Sequence, residues 1–196
     1  APDAGAFPNP PYTTLEKPPV SREKPDLYVK AGQALVRVAE ARFETKGVSW
    51  SDGLPAGRSL PLSSFFVAKP GDSVKTIQNA LDRGKHLLLT PGVYQIDSSI
   101  DVKRPNTVIL GIGLATLKAV RGATPLVIKD NPGVIVAGVT IDAGESLSKV
   151  LLQVGKTRGE RGTAKADPAN PITLSDVYFR VGGPYVGKTQ VAMQID

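Results

Sequence analysis

"GVIVAGVTIDAG", Gly133 to Gly144, is a run of β-branched residues broken by glycines and closed by an Asp at a turn. Such a run reads as a buried strand. It also recurs within the chain. Val134 and Val136 repeat Val108 and Leu110, 26 residues earlier in "TVILGIGLATL". They return as Ile172 and Leu174, 38 residues later. A second series runs from Leu126 and Ile128 to Leu152 and Val154 after 26 residues, then to Met193 and Ile195 after a further 41. Both series share one period, and both lengthen at the last interval. One insertion, Gly155 to Asn170, accounts for most of the excess.

A period in the twenties with several short strands per repeat predicts an all-β parallel β-helix. One coil cannot bury its own apolar face, so coils stack about 4.8 Å apart. Leu126, Leu152 and Met193 should then form one ladder, and Ile128, Val154 and Ile195 the next. A leucine-rich repeat has a similar period, but its Leu/Asn signature is missing. A β-sandwich is the structural rival, and it needs no common register between the two series.

Four stretches divide the chain outward from these repeats. Residues 85–196 alternate short β-branched runs with Gly, Pro, Asn and Asp, and form the expected coils. Residues 72–84 read as one amphipathic helix. Asp72 or Ser73 caps it, Val74, Ile77 and Leu81 form its apolar stripe, and Gly84 stops it. It suits the N-terminal end of a solenoid as a cap. Residues 27–71 hold short strands and loops. There "DLYVKAGQALVRV" reads as two strands turning at Gly32, and "SDGLPAGRSLP" as a loop. Residues 1–26 carry seven of the 17 prolines and should run extended.

"GGPYVGKT" fits the phosphate-binding pattern G-x-x-x-x-G-K-[ST] through Gly182, Gly187, Lys188 and Thr189. A phosphate loop needs a helix after the glycines, whose N-terminus faces the phosphates. Here only "QVAMQID" follows, and its pattern belongs to the ladder of Leu126 and Leu152. Gly182 aligns with Gly144 as a coil-corner residue. The match is read as coincidental, with no nucleotide expected.

Composition narrows the remaining classes. The net charge of +6 is scattered, apart from Lys156, Arg158, Arg161 and Lys165 around Glu160. That loop lacks aromatics for stacking bases, so nucleic acid is not expected. Cysteine is absent, which removes disulfides and thiolate metal sites. No apolar run approaches about 18 residues, so no membrane-spanning helix is expected. The opening "APDAGAFPNPP" fits either a mature N-terminus left by signal cleavage or an excised fragment.

The run "FFVAKPGDSVKTIQNAL…GKHLLLTPGVY" (Phe65 to Tyr94), followed by "TVILGIGLATL" and "DVYFRVGG", resembles secreted bacterial β-helix proteins. These are related to the family-55 glycoside hydrolases, the exo-β-1,3-glucanases. "TTLEKPPVSREKPDLYV" (Thr13 to Val29) is similar to the segment before the helix in the same proteins. The resemblance implies a right-handed, pectin-lyase-like solenoid, secretion, and hydrolysis of a β-glucan-like polysaccharide. In such enzymes the catalytic carboxylates lie on later coils, and none carries over to a position here.

Glycoside hydrolysis usually needs two carboxyl groups, about 5 Å apart for retention and roughly 6.5–9.5 Å for inversion. Asp97, Asp101, Asp130, Asp142, Glu145, Asp176 and Asp196 are the acids on the coils. Asp142 and Glu145, in "TIDAGES", are the candidate pair at a coil corner. Local turn hydrogen bonding is the stronger reading of both. Asp142 also stands opposite Arg180 on the next coil, as an expected ion pair. The lone His86 makes neither a metal site nor a triad, and is expected to be structural. Trp50, Tyr178, Phe179 and Tyr185 are aromatics that either pack or stack on sugars. No metal and no cofactor are expected.

The resulting expectation is the scaffold part of a β-helix hydrolase, with catalysis by two carboxylates outside this chain. A non-catalytic polysaccharide-binding or adhesin-like β-helix and a polysaccharide lyase are the alternatives. The β-helix is expected to be incomplete at Asp196, where Met193 and Ile195 have ladder partners on one side only. The C-terminal chain of the same precursor is the expected partner that completes it.

Overall fold

The computed structural model describes residues 15–46, 49–50, 53, 55–155, 167–183 and 185–196. Among the described residues six strands precede the helix: β1 (Val20–Ser21), β2 (Asp26–Lys30), β3 (Gln33–Ala39), β4 (Arg42–Phe43), β5 (Gly57–Pro61) and β6 (Phe65–Ala68). Helix α1 spans Val74–Asp82. Nine strands of the described residues follow: β7 (His86–Leu89), β8 (Gly92–Ile96), β9 (Ile100–Val102), β10 (Val108–Ala119), β11 (Leu126–Ile128), β12 (Ile135–Asp142), β13 (Ser148–Val154), β14 (Thr173–Arg180) and β15 (Thr189–Ile195).

The strands before the helix are largely antiparallel. β2 and β3 form a hairpin whose two turn residues, Ala31 (φ 49°) and Gly32 (φ 76°), are both left-handed. That geometry matches the twist of the flanking strands. β5 adds to the other edge of β3. This corrects the expectation of a loop through "SDGLPAGRSLP". The apolar face of β3, with Val36 and Val38 buried, recruits Leu60 although "GRSLP" has little strand character of its own. β1 and β4 form a separate two-residue ladder.

From β6 onward the sheets are parallel, and neither closes into a barrel. The large sheet has the order β14-β12-β10-β7-β6, with β8 also pairing β10. The small sheet has the order β15-β13-β11-β9. From β9 on, successive strands alternate between the two sheets. Their facing sides share one apolar cluster, which includes Tyr94, Ile109, Leu117 and Ile141 from the large sheet. Ile100, Leu126, Ile128 and Leu152 meet them from the small one. The second repeat series has the expected register: Leu126 pairs with Leu152 and Leu152 with Met193, Ile128 with Val154 and Val154 with Ile195.

The first series needs a correction. Val108 pairs with Ile135 and Leu110 with Ala137, so the offset there is 27 and not 26. Val108, Leu110, Ile135 and Ala137 face outward and pack beneath Val36 and Val38. Val134 and Val136 face the other way, into the shared core. Past the irregularity Ala115 pairs with Val139, an offset of 24. The extra residues are in β10, where Gly111, Ile112, Gly113 (φ 53°) and Leu114 (φ 63°) stand opposite the single Gly138 (φ 67°) of β12. A Cβ there would lie 2.5 Å from the carbonyl oxygen of Gly111. Its left-handed backbone reverses the strand's alternation, so Val136 and Val139 both point into the core. In β14 the same position is held by Asp176 (φ 50°), which lies between the pairs Ala137–Ser175 and Val139–Val177. Asp is one of the few L-residues that visit this region routinely.

Helix α1 is capped by the Ser73 hydroxyl, which accepts from the Thr76 amide at 3.1 Å. Val74, Ile77, Ala80 and Leu81 are buried. Gln78 does more than cover. Its Oε1 accepts from the Asp101 amide at 2.8 Å, and its Nε2 donates to the Asp101 carbonyl at 3.1 Å. The side-chain amide stands in for a neighbouring strand at the outer edge of β9. An edge that otherwise offers unpaired backbone groups is closed in this way.

Candidate functional site

The outer face of the large sheet carries one polar ladder. Gln95, Lys118, Asp142 and Arg180 occupy equivalent positions on β8, β10, β12 and β14. Their sheet neighbours Tyr94, Leu117, Ile141 and Phe179 point into the core, which turns these four outward. Asp142 is nevertheless fully buried, with 0% of its surface exposed. Arg180 Nε donates to Oδ1 of Asp142 at 2.8 Å, and Arg180 Nη2 donates to Oδ2. The Tyr185 hydroxyl donates to Oδ2 at 2.6 Å. The Lys118 ammonium lies 3.6 Å from the centre of the Tyr185 ring, a cation–π contact.

The electrostatics follow from this packing. Hydrogen bonding to Asp142, then its charge, raises the Arg180 pKa above its ordinary value. Burial first, and then the hydrogen bond to the carboxylate, raises that of Tyr185. Both groups therefore hold their protons more firmly. The expected ion pair of Asp142 with Arg180 is formed, and it ties the loop after β14 to the sheet through Tyr185. Both oxygens of Asp142 are engaged by fixed donors. Glu145, its candidate partner, is exposed in the turn that follows.

The phosphate-loop match lies beside this cluster. Gly182 and Gly183 both have positive φ. A Cβ on Gly187 would sit 2.7 Å from the Gly182 amide nitrogen, so the loop folds back on itself. The Lys188 amide donates to the Gly144 carbonyl at 2.8 Å, and the Ser148 amide donates to the Lys188 carbonyl at 3.1 Å. The Thr189 hydroxyl donates to the Val191 and Ser148 carbonyls. Thr189 opens strand β15, where a phosphate loop would open a helix.

The other acids are dispersed. Asp176 pairs with Lys24 at 2.5 Å and so ties the N-terminal segment to β14. Asp196 accepts from Gln153 at 2.9 Å and from Gln194. Asp97 accepts from Ser98 at 3.3 Å. Asp130, Asp167 and Asp196 line a cleft of about 510 Å³ whose apolar wall is Val154, Ile172, Leu174 and Ile195. No group of three or more His, Asp or Glu able to hold a metal ion occurs among the described residues. No helix among them is long and apolar enough to cross a membrane.

His86 is half-buried and structural in its contacts. Its Nδ1 accepts from the Val108 amide at 3.1 Å, and its ring lies against Phe65 with centroids 4.9 Å apart. Burial, then the nearby Arg58 charge, lowers its pKa. Tyr178 and Trp50 are exposed, whereas Phe179 packs against the core. Lys156, Arg158, Glu160, Arg161 and Lys165 lie outside the described residues. The roles of Tyr185 and Gln78 escape sequence reasoning, since their partners lie 43 and 23 residues away with no periodic signal.

Comparison with known proteins places this geometry. The chain is 47% identical over 193 residues to an exo-β-1,3-glucanase of Streptomyces sp. strain SirexAA-E / ActE. The match covers 98% of this chain and 31% of that protein. The solved structure of sacteLam55A from Streptomyces sp. SirexAA-E superposes with a TM-score of 0.87 at 47% identity. It covers all of this chain and 35% of the other. A variant of sacteLam55A solved in complex with glucose gives the same TM-score at 48% identity, over 97% and 34% of the two chains. The chain thus spans about a third of the length of these relatives. Residues 65–196, from β6 through β15, match the LAM55 pectate lyase-like domain, and the chain belongs to that family.

Proposed function

We propose that this chain is the N-terminal scaffold of a larger, secreted glycoside hydrolase acting on a β-1,3-glucan-type polysaccharide. The observation that carries this reading is the 47% identity, across nearly the whole chain, to an exo-β-1,3-glucanase about three times as long. In this reading the two parallel sheets are walls of a right-handed parallel β-helix, and α1 closes its N-terminal end. The alternation of successive strands between the sheets supports it.

Hydrolysis would use two carboxylates, one protonating the leaving oxygen and one acting as base or nucleophile. The reading places both on polypeptide outside this chain. Two observations favour that placement. Asp142 has both oxygens held by Arg180 and Tyr185, and Asp176 is taken by Lys24. Further polypeptide of the same precursor would pair with the outer edges of β14 and β15. Met193 and Ile195, 39% and 65% exposed on β15, support such a neighbour.

Reducing-end release from a linear β-1,3-glucan by the full-length protein tests the reading. The expected result is glucan hydrolysis that Glu145→Gln leaves unchanged. Loss of a general acid or base costs about 10²–10⁴-fold in rate, so a drop of that size would return Glu145 to the catalytic pair. Binding without turnover would instead mark a non-catalytic polysaccharide-binding module. An unsaturated product absorbing in the ultraviolet would mark a lyase.

A further inference from the structure

A cleft of about 210 Å³ opens where the N-terminal strands meet the large parallel sheet. Arg22, Arg58, Asn106 and Asn170 give it polar walls, and Glu40 is the acidic liner among the described residues. Arg22 is fixed in place. Its Nη1 donates to the Pro171 carbonyl and the Thr173 hydroxyl, both at 3.3 Å, and its Nη2 donates to Asn170 Oδ1 at 3.2 Å. Asn170 is itself held, since its Nδ2 donates to Asn106 Oδ1 at 2.9 Å.

All three acceptors of Arg22 are neutral. Its Nε is buried and has no hydrogen-bond partner. Neither Arg22 nor Arg58 forms an ion pair among the described residues, and Glu40 neutralises neither. A buried polar group in a native structure normally has a partner, so this unmatched N–H calls for one. Burial, and then repulsion from Arg58, lowers the Arg22 pKa. Two guanidinium groups thus face one cleft, and no carboxylate among the described residues is in ion-pair contact with either.

We propose that this cleft binds a small oxyanion, a carboxylate or phosphate group, held between Arg22 and Arg58. The planar guanidinium fork matches both geometries. A water molecule occupies about 30 Å³ in the liquid, so the space takes such an ion with part of its hydration. A β-glucan carries no charge. The site is therefore separate from the proposed substrate and does not depend on that reading.

Thermal unfolding of the full-length protein, titrated with phosphate and separately with acetate, tests the site. Sodium chloride holds ionic strength constant. Wild type should show a saturable rise in midpoint with at least one anion, about 2–4 °C near saturation. Arg58→Gln should lose that rise. Arg58 is exposed, and its side chain makes no hydrogen bond among the described residues, so the variant should keep its fold. Isothermal calorimetry with the same anion should show heat of binding for wild type and none for the variant. No saturable response to either anion would overturn the proposal, as would a response that Arg58→Gln leaves intact.

Discussion

β11, β13 and β15 of the small sheet keep one register from end to end, whereas β10 and β12 of the large sheet change theirs midway. The cause is what lies outside each sheet. Along β11 and β9 the pattern is buried, half-buried, buried, so one face alone meets the core. A one-residue slip there would turn Leu126 and Ile128 out of the core, so the register is strongly fixed. The first half of β10 is buried on both faces. Ile109 packs inward, while Val108 and Leu110 pack beneath β3. Apolar residues at every position leave the pattern blind to a shift by one. The register of the large sheet changes instead at a bulge in β10, Gly111 to Leu114, with Gly113 and Leu114 left-handed and Gly111 close against Gly138.

The largest expected effect lies in the one-faced sheet. Ile128→Ala should lower stability by about 2–5 kcal/mol in urea unfolding, because it opens a cavity between its ladder neighbours Val102 and Val154. An unfolding midpoint near wild type would mean that this ladder is not closely packed. On the large sheet's outer face, Asp142→Ala should cost about 1.5–3 kcal/mol, since it removes charge-assisted hydrogen bonds from Arg180 and Tyr185. It should also raise amide exchange across residues 181–188, and unchanged exchange there would separate the loop from the ladder.

Gly138→Ala sharpens the contrast. The left-handed conformation alone should cost it about 1–2 kcal/mol, and a Cβ 2.5 Å from the Gly111 carbonyl oxygen adds to that, whereas Asp176→Gly at the equivalent position of β14 should fold with stability close to wild type. Equal losses from both would show that position 138 is not held to glycine by its backbone conformation and its contact with Gly111. The smallest effect is on pH dependence. The pKa of His86 is lowered in the folded state, so its contribution is present above its unfolded value, about 6.5, and is lost as pH falls through the lower folded value. Asn keeps an acceptor for the Val108 amide but does not titrate. His86→Asn should therefore show a shallower fall in unfolding midpoint below about pH 6.5 than wild type. Parallel profiles would remove His86 from the linkage.

Much of this architecture is legible in the residues, for physical reasons that also set its limits. Ser73, Val74, Ile77 and Gly84 announce α1 because cap, stripe and stop are local signals. The ladder of Leu126, Leu152 and Met193 is legible because one-sided burial imposes a pattern. β5 is not, because its pairing depends on the apolar face of β3 rather than on "GRSLP" itself. At the candidate site, Asp142 and Arg180 are visible as ladder equivalents once the repeat is found. Tyr185 and the Arg22–Arg58 cleft are not, since each depends on loops that meet only in the folded chain.

The change of register is the central structural claim, and a pair of engineered disulfides tests it directly. The sequence has no cysteine, so the background is clean. Thr116 and Thr140 are paired across β10 and β12. Paired strands lie about 4.8 Å apart, within the Cα range of about 4.4–6.8 Å that a disulfide spans. Under mild oxidation, Thr116→Cys with Thr140→Cys should close to an intrachain disulfide. Leu114→Cys with Thr140→Cys, the pair that an unbroken 26-residue repeat would align, should remain reduced. Ready closure of the Leu114 pair with the Thr116 pair still open would contradict the account.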